Sequence, residues 1–173
     1  MKNYNANEIA INANIKSYEK EINDNPNNIW NYINIIYYLH NLLVECEYEI
    51  DKTEHYTSLL KEYFQYSQAK FSDIPEYLFF VSKIMFVAEW YFGLNDDLKE
   101  IQDKVAFNMQ KKALELEPDN ILFQWAVALS LNDNNAKFMA GKILSNEDLI
   151  EWLKTKNQPG KYIIEQLLWN RDN

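Results

Sequence analysis

Residues 105–131 read VAFNMQKKALELEPDNILFQWAVALSL, and this stretch decides the fold class. Apolar residues recur at the three-to-four-residue spacing of an amphipathic helix as far as Leu116. Pro118 interrupts the pattern, because proline cannot continue a helix. A second apolar run follows from Ile121. The stretch therefore predicts two antiparallel helices joined by a tight turn, over about 95–117 and 120–131.

The same helical spacing extends over nearly the whole chain. It predicts further helices at about 7–23, 28–48, 53–70, 74–93, 136–144, 146–155 and 160–169. Three glycines and four prolines leave few turns, and no hairpin dipeptide separates alternating apolar runs. The sequence thus predicts one all-α domain over residues 1–173, built from stacked antiparallel hairpins with about eight or nine helices.

Polar residues at the predicted helix ends suggest how those helices begin and end. Asp73 and Glu76 have the spacing of a capping box for the fourth helix, and residues 145–148 (SNED) have it for a later one. Asn95, Asp96 and Asp97 suit the start of the fifth helix, and Gly93 suits the end of the fourth. Residues 158–160 (QPG) predict the last break.

The most apolar segment is residues 77–94 (YLFFVSKIMFVAEWYFGL). Lys83 and Glu89 would be costly at the centre of a bilayer, so a buried core helix is the better interpretation. The N-terminal residues 1–8 show no apolar segment typical of a secretory signal. Cys46 is the single cysteine and excludes an internal disulfide. These features together predict a cytoplasmic protein.

The second predicted helix is apolar over most of its circumference. A polar stripe runs down one side of it through Asn31, Asn34, Asn41 and Glu45. A helix of this kind is buried on most sides and meets solvent along one edge.

The segment 105–131 resembles the second helix of a tetratricopeptide repeat running into the first helix of the next repeat. The resemblance rests on the small residue Ala106, the pair Ala113-Leu114 and the helix-ending Pro118. Ala140 continues the register, whereas Gln110 replaces an expected aromatic residue. The resemblance implies stacked helical hairpins. A closed bundle that contains one such hairpin is an equal alternative.

Motifs for catalysis or metal binding are missing from the sequence. His40 and His55 are the two histidines, and no HExxH, CxxC or glycine-rich phosphate loop occurs. His40 fits a hydrogen-bonded histidine at the edge of the core. We therefore expect no enzyme activity, no metal and no cofactor. A helical enzyme with an unrecognised acidic site is the open alternative.

The net charge of −9 predicts the kind of partner. Phosphate backbones would be repelled, whereas a basic protein would be attracted. The candidate partner-binding residues are two acidic clusters and two tryptophans near the C-terminus: Glu45, Glu47, Glu49, Asp51, Asp96, Asp97, Glu100, Asp103, Trp152 and Trp169. The alternative for the acidic residues is solvation and helix capping. Trp30, Trp90 and Trp125 lie in apolar runs and are expected in the core.

These features favour protein binding without catalysis. In general character the chain is similar to bacterial immunity proteins, which are small, acidic and cytosolic. That similarity implies binding and neutralisation of a basic toxin domain, for example a nuclease. A tetratricopeptide-like adaptor or chaperone is the other form that a protein-binding role could take.

Overall fold

The computed structural model describes residues 4–45, 48–94, 96 and 98–173, with side chains from Asn7 onward. Within these residues the chain is all-α and no strand occurs, as the sequence predicts. The helices are α1 (Tyr4–Asp24), α2 (Ile29–Glu45), α3 (Thr53–Phe71), α4 (Pro75–Met85), α5 (Val105–Leu116), α6 (Ile121–Ser130), α7 (Asn135–Leu144), α8 (Glu147–Lys154) and α9 (Asn157–Asp172). Among the described helices, none is long and apolar enough to cross a membrane.

Helices α2 and α4 form the centre of the bundle. Every residue from Tyr77 to Met85 is buried, because this part of α4 is apolar apart from Ser82 and Lys83 and packs against α2, α5 and α6. Helix α2 buries its apolar faces against α1, α3, α4 and α9. The polar stripe of α2 lies at solvent from Asn34 onward, as predicted. Asn31 is buried instead, and its amide donates to the carbonyl oxygens of Glu21 and Asn25 at the α1–α2 turn.

Helix α4 ends at Met85, eight residues before the predicted end at about 93. The backbone of Ala88 has left the helical conformation (φ −155°, ψ 71°), and residues Glu89–Phe92 form only a short 3-10 turn. Gly93 does take the left-handed conformation expected of a helix-ending glycine, with φ of 79°, but it ends this short turn. The fifth helix likewise starts at Val105 and not near 95. A long loop from Phe86 to Lys104 thus replaces the ends of two predicted helices.

The predicted capping boxes are corrected in part. Asp73 does not cap α4, because the N-cap position of this helix is Ile74. The carboxylate of Asp73 instead accepts from the ammonium of Lys112 at 2.6 Å. In the second box the cap is Asn146, whose side chain accepts from the N–H of Leu149 at 3.0 Å. The last break falls at residues 155–156, so residues 158–160 lie in the first turns of α9.

The α5–α6 hairpin is present as residues 105–131 predict. Helix α5 ends at Leu116, two residues before Pro118, and α6 begins at Ile121. The small residues Ala106, Ala113 and Ala140 are fully buried, so neighbouring helices approach closely at these points.

The C-terminal helix closes the bundle. Helix α9 packs against α7 and α8 and returns to α2. The hydroxyl of Tyr162 donates to the carbonyl oxygen of Lys83 on α4 at 3.2 Å, and the indole N–H of Trp125 on α6 donates to Asn170 at 3.0 Å. Contacts of this kind between distant parts of the chain favour a closed bundle over an open array of hairpins.

A buried lysine lies in this closed interior. The Lys83 side chain is 4% exposed, and its ammonium lies 4.6 Å from the centre of the Trp125 ring. Burial disfavours the charged form and lowers the pKa of Lys83 to about 7. A pKa shift of that size corresponds to a free-energy cost of roughly 5 kcal/mol for burying the charged amine. Attraction of the ammonium to the indole face offsets about 2 kcal/mol of this cost.

Replacing Lys83 by methionine should stabilise the protein at low and neutral pH. Below about pH 7 Lys83 is protonated in both the folded and the unfolded protein, so the free-energy cost of burying its charge is fully present. Between the pKa of Lys83 in the folded protein and that in the unfolded chain, the folded protein has already released the proton. The cost therefore falls as the pH rises through this range. We expect Lys83→Met to raise the free energy of unfolding by about 3 kcal/mol near pH 6 and hardly at all above the pKa of a free lysine.

Urea denaturation at both pH values measures this effect. Lys20→Met, at an exposed lysine of α1, is the matched control and should show little change at either pH. An equal effect of Lys83→Met at both pH values would show that the buried amine is not the cause.

Candidate protein-interaction surface

The loop Phe86–Lys104 is held to the bundle by one aromatic anchor, and two ion pairs within the loop fix its shape. Phe92 is buried, and its ring lies 5.2 Å from that of Phe64 on α3 and 5.6 Å from that of His40 on α2. Glu89 pairs with Lys104 at 2.9 Å, so the two ends of the loop are joined. The loop is therefore packed by its own side chains, as compact surface loops often are.

Asp96 makes the second ion pair and caps a helix. One carboxylate oxygen accepts from the Lys99 ammonium at 2.6 Å, and the other accepts from the Val105 N–H at the start of α5 at 2.8 Å. Burial alone would raise the pKa of Asp96, but these hydrogen bonds and the nearby lysines hold it below its ordinary value. Asp96 is 1% exposed, so its carboxylate stabilises the loop and the start of α5 and cannot contact a partner. This corrects its prediction as a partner-binding residue.

This loop and the α2–α3 turn lie at the same end of the bundle. The hydroxyl of Tyr91 donates to the carbonyl oxygen of Leu43, in the last turn of α2, at 3.4 Å. The short turn Glu89–Phe92 also packs on α3, close to the Lys61 side chain beside Gly93. We call the described residues of 45–52 and 86–104 the acidic end.

Large apolar side chains are exposed at the acidic end. The exposed fraction is 90% for Ile50 and 52% for Trp90, and Leu98 is fully exposed. Val87 is also about half exposed. Exposed apolar side chains are common when single, but an aromatic and several aliphatic residues in two adjacent segments are typical of interaction sites.

Most of the predicted acidic residues lie in the same two segments as these apolar side chains. Glu45, Glu49, Asp51, Glu100 and Asp103 are all exposed at the acidic end. Lys99 and Lys104 pair with Asp96 and Glu89. The described residues of this end comprise seven carboxylates and three lysines, so its charge stays negative. Glu47, Asp97 and Cys46 lie outside the described residues. The structure thus brings two sequence-separated acidic clusters to one end of the molecule.

The two C-terminal tryptophans differ from each other. Trp152 is half-buried against Phe80, and its ring contacts the Lys156 ammonium at 4.7 Å, so it packs inside the bundle. Trp169, on α9, is 64% exposed. Neither tryptophan belongs to the acidic end.

The sequence interpretation missed Trp90, Leu98 and Ile50. Trp90 was expected in the core together with Trp30 and Trp125, but only Trp125 is fully buried and Trp30 is partly covered. Trp90 is exposed because α4 stops early and leaves it in the loop. The sequence gives little indication of this early end, because no proline or glycine occurs at residues 86–88, where α4 stops.

The histidines give no support for catalysis. His40 is buried, and burial lowers its pKa to about 4, so the ring is neutral at physiological pH. Its Nε2 atom has no hydrogen-bond partner in the part of the chain that the structure describes. Across those same residues, no group of three or more metal-ligating side chains comes together.

Comparisons of the chain with protein-family models, with curated proteins and with solved structures found no match.

Proposed function

We propose that this chain is a non-catalytic protein-binding domain, and that a basic protein docks on its acidic end. The observation that carries the proposal is the exposure of Ile50, Trp90 and Leu98 among carboxylates that two separate segments contribute. Apolar anchors inside a charged rim are the usual arrangement of a specific protein interface.

The two kinds of side chain have different roles in such a complex. Trp90 and the aliphatic residues would be desolvated on binding, and tryptophan is among the residue types that supply most of the binding free energy. The carboxylates would attract a positive surface and chiefly raise the association rate. The overall charge of −9 has the same sign and extends the attraction beyond the contact itself.

Neutralisation of a basic toxin domain is the specific form of this proposal that we favour. An inhibitor of that kind needs a rigid surface and no chemistry, and the loop is fixed by Phe92, Glu89 and Asp96. The proposed toxin would have a basic surface, for which exposed carboxylates are the complementary groups.

The test is binding kinetics with the protein that co-purifies with this chain from its native host. Neutralising Glu49, Asp51 and Glu100 together (to Gln, Asn and Gln) should slow association at least about tenfold at low salt and change dissociation little. Trp90→Ala should instead speed dissociation at least about tenfold. Raising the salt concentration should slow wild-type association, because salt screens the attraction.

The matched control neutralises Glu115, Glu117 and Asp119, which removes the same charge from exposed sites at the other end of α5. If this control slows association as much as the acidic-end variant, net charge and not the docking site is responsible. A partner that is acidic, or whose association is insensitive to salt, would contradict the proposal. Turnover of a small molecule by the purified chain would favour the enzyme alternative.

A further inference from the structure

A cavity of about 400 Å³ lies where the α6–α7 turn (residues 131–134) meets the C-terminal end of α9. Its volume is within the usual range of small-molecule pockets, about 300–1,000 Å³. Trp169 and Leu129 supply the larger apolar side chains of its wall, and most of the other lining residues are asparagines. None of the lining residues belongs to the acidic end, so the proposed protein-binding surface does not account for this cavity.

The ring of Trp169 is open to a ligand. Each of the other four tryptophans packs against an aromatic ring or a lysine ammonium. In the part of the chain that the structure describes, no such group packs on Trp169, which is exposed and lines the cavity. The face of an aromatic ring is electron-rich and apolar, so it attracts positively polarised C–H groups.

Side-chain amides with unused hydrogen-bonding groups line the same cavity. The side chains of Asn132 and Asn134 form no hydrogen bond within the described residues. The oxygen of Asn170 accepts from the indole N–H of Trp125 at 3.0 Å, so its N–H groups remain available. Because an amide both donates and accepts, the wall offers hydrogen bonds of both kinds beside the Trp169 ring.

The α6–α7 turn holds these amides in a fixed arrangement. Asn132 has a φ of 53°, in the left-handed region that asparagine adopts more readily than most residues. The N–H groups of Asn132 and Asp133 donate to carbonyl oxygens of α6 at 3.1 and 2.9 Å. The Asp133 carboxylate accepts from the Asn135 N–H, at the start of α7, at 2.9 Å. The turn is thus tied to both helices, and a ligand needs to order little backbone when it binds.

The charge and shape of the wall select the class of ligand. Asp133 and Lys137 contribute one charge of each sign, which favours a neutral ligand. Only one face of the ligand can pack on a ring, because no second ring of the described residues faces Trp169. A pyranose sugar suits this arrangement, since it has C–H groups on one face and hydroxyl groups around its edge that donate and accept. A flat nucleobase would leave its second apolar face in water.

We propose that this cavity binds a neutral pyranose sugar. The C–H face of the sugar packs on Trp169, and its hydroxyl groups bond to Asn132, Asn134 and Asn170. One ring and a few amides support weak binding, with a Kd on the order of 1 mM. This site is separate from the acidic end, and either site can be present without the other.

NMR titration of the isotope-labelled full chain tests the proposal. The probes are glucose, galactose and N-acetylglucosamine, each added alone. We expect at least one of them to shift the indole N–H signal of Trp169 and the side-chain amide signals of Asn134 saturably. Trp169→Ala should weaken this binding at least about tenfold, and the exposed position of the ring means that the variant should stay folded. Asn134→Ala should weaken it about threefold to tenfold, as expected for one lost hydrogen bond.

Three control variants make the result specific. Trp90→Ala removes another exposed tryptophan, at the acidic end, and should leave sugar binding unchanged. Asn12→Ala removes an exposed asparagine of α1 that does not line the cavity, and it should also have no effect. Trp169→Phe keeps an aromatic face and should retain part of the affinity that Trp169→Ala loses.

Several outcomes would overturn the proposal. Absence of saturable shifts with all three sugars at tens of millimolar would do so, as would equal losses in Trp169→Ala and Trp90→Ala. Binding of adenosine in place of the sugars, lost in Trp169→Ala, would assign the cavity to a nucleobase. Tighter binding of a sugar phosphate than of the parent sugar would contradict the selection of a neutral ligand.

Discussion

Gly160→Ala is expected to destabilise the protein by about 3 kcal/mol, although alanine is the better helix former. Gly160 is buried in the first turns of α9, where that helix meets the end of α8. A Cβ atom at this position would lie 1.8 Å from the carbonyl oxygen of Leu153 and 2.9 Å from its carbonyl carbon. Because these are backbone atoms, relief requires α8 and α9 to move apart. That movement would also strain the hydrogen bond from the Lys156 N–H to the same oxygen.

The matched control is the same substitution at Gly141. This glycine lies within α7, and an added Cβ would meet no other atom within 4 Å. Gly141→Ala should therefore stabilise the protein by about 0.5–1 kcal/mol, since alanine loses less backbone entropy on folding. Urea denaturation of both variants measures the difference. Effects of the same sign would show that the α8–α9 contact is looser than described.

Ala113→Arg should cost more than about 3 kcal/mol and could abolish folding altogether. Ala113 is fully buried on α5, which packs against both α4 and α6. An arginine there would overfill the contact and place an unpaired charge in an apolar interior. Thermal denaturation, or the yield of folded protein when none melts cooperatively, measures the loss.

Ala113→Ser is the control for this position. It adds one oxygen atom, and its hydroxyl can bond to a carbonyl of the preceding helical turn, so it should be much milder. An arginine variant that melts within a degree or two of the wild type would show that Ala113 is exposed. That result would also contradict the tetratricopeptide-like register of Ala106 and Ala113.

Features of the fold that depend on a single residue or on one clear apolar pattern were predictable from the sequence. Pro118 marks the end of α5, and the apolar faces of α2 identify a central helix. The end of α4 was not predictable, because residues 77–94 remain apolar throughout and the chain simply turns at Ala88. Periodicity shows which residues are apolar, but it does not show where a buried helix stops.

Asp96 caps the helix that the sequence predicts it to cap, but the position of that helix differs from the prediction. The sequence predicts that Asn95, Asp96 and Asp97 cap a helix that follows them immediately. Asp96 does cap the fifth helix, but across nine residues, through the N–H of Val105. Sequence spacing assumes that a cap is local, whereas a folded loop can bring a distant carboxylate to the same N–H group.

The composition of the acidic end was predictable only in part. Glu49, Asp51 and Glu100 are acidic and near turns, so their exposure follows from their chemistry. Trp90 and Leu98 resemble core residues in sequence, and only the tertiary path of the loop exposes them. Tetratricopeptide kinship and toxin neutralisation stay predictions, which the proposed measurements can test.

The return of α9 to α2 and α4 also affects how the protein is made. Tyr162 and Asn170 bind groups on α4 and α6, which leave the ribosome long before α9 does. Until α9 emerges, the nascent chain exposes the apolar surface that Ile163 and Leu167 cover in the finished protein. Partly made chains of this type are prone to aggregation. The bundle can therefore complete its packing only after α9 has been synthesised.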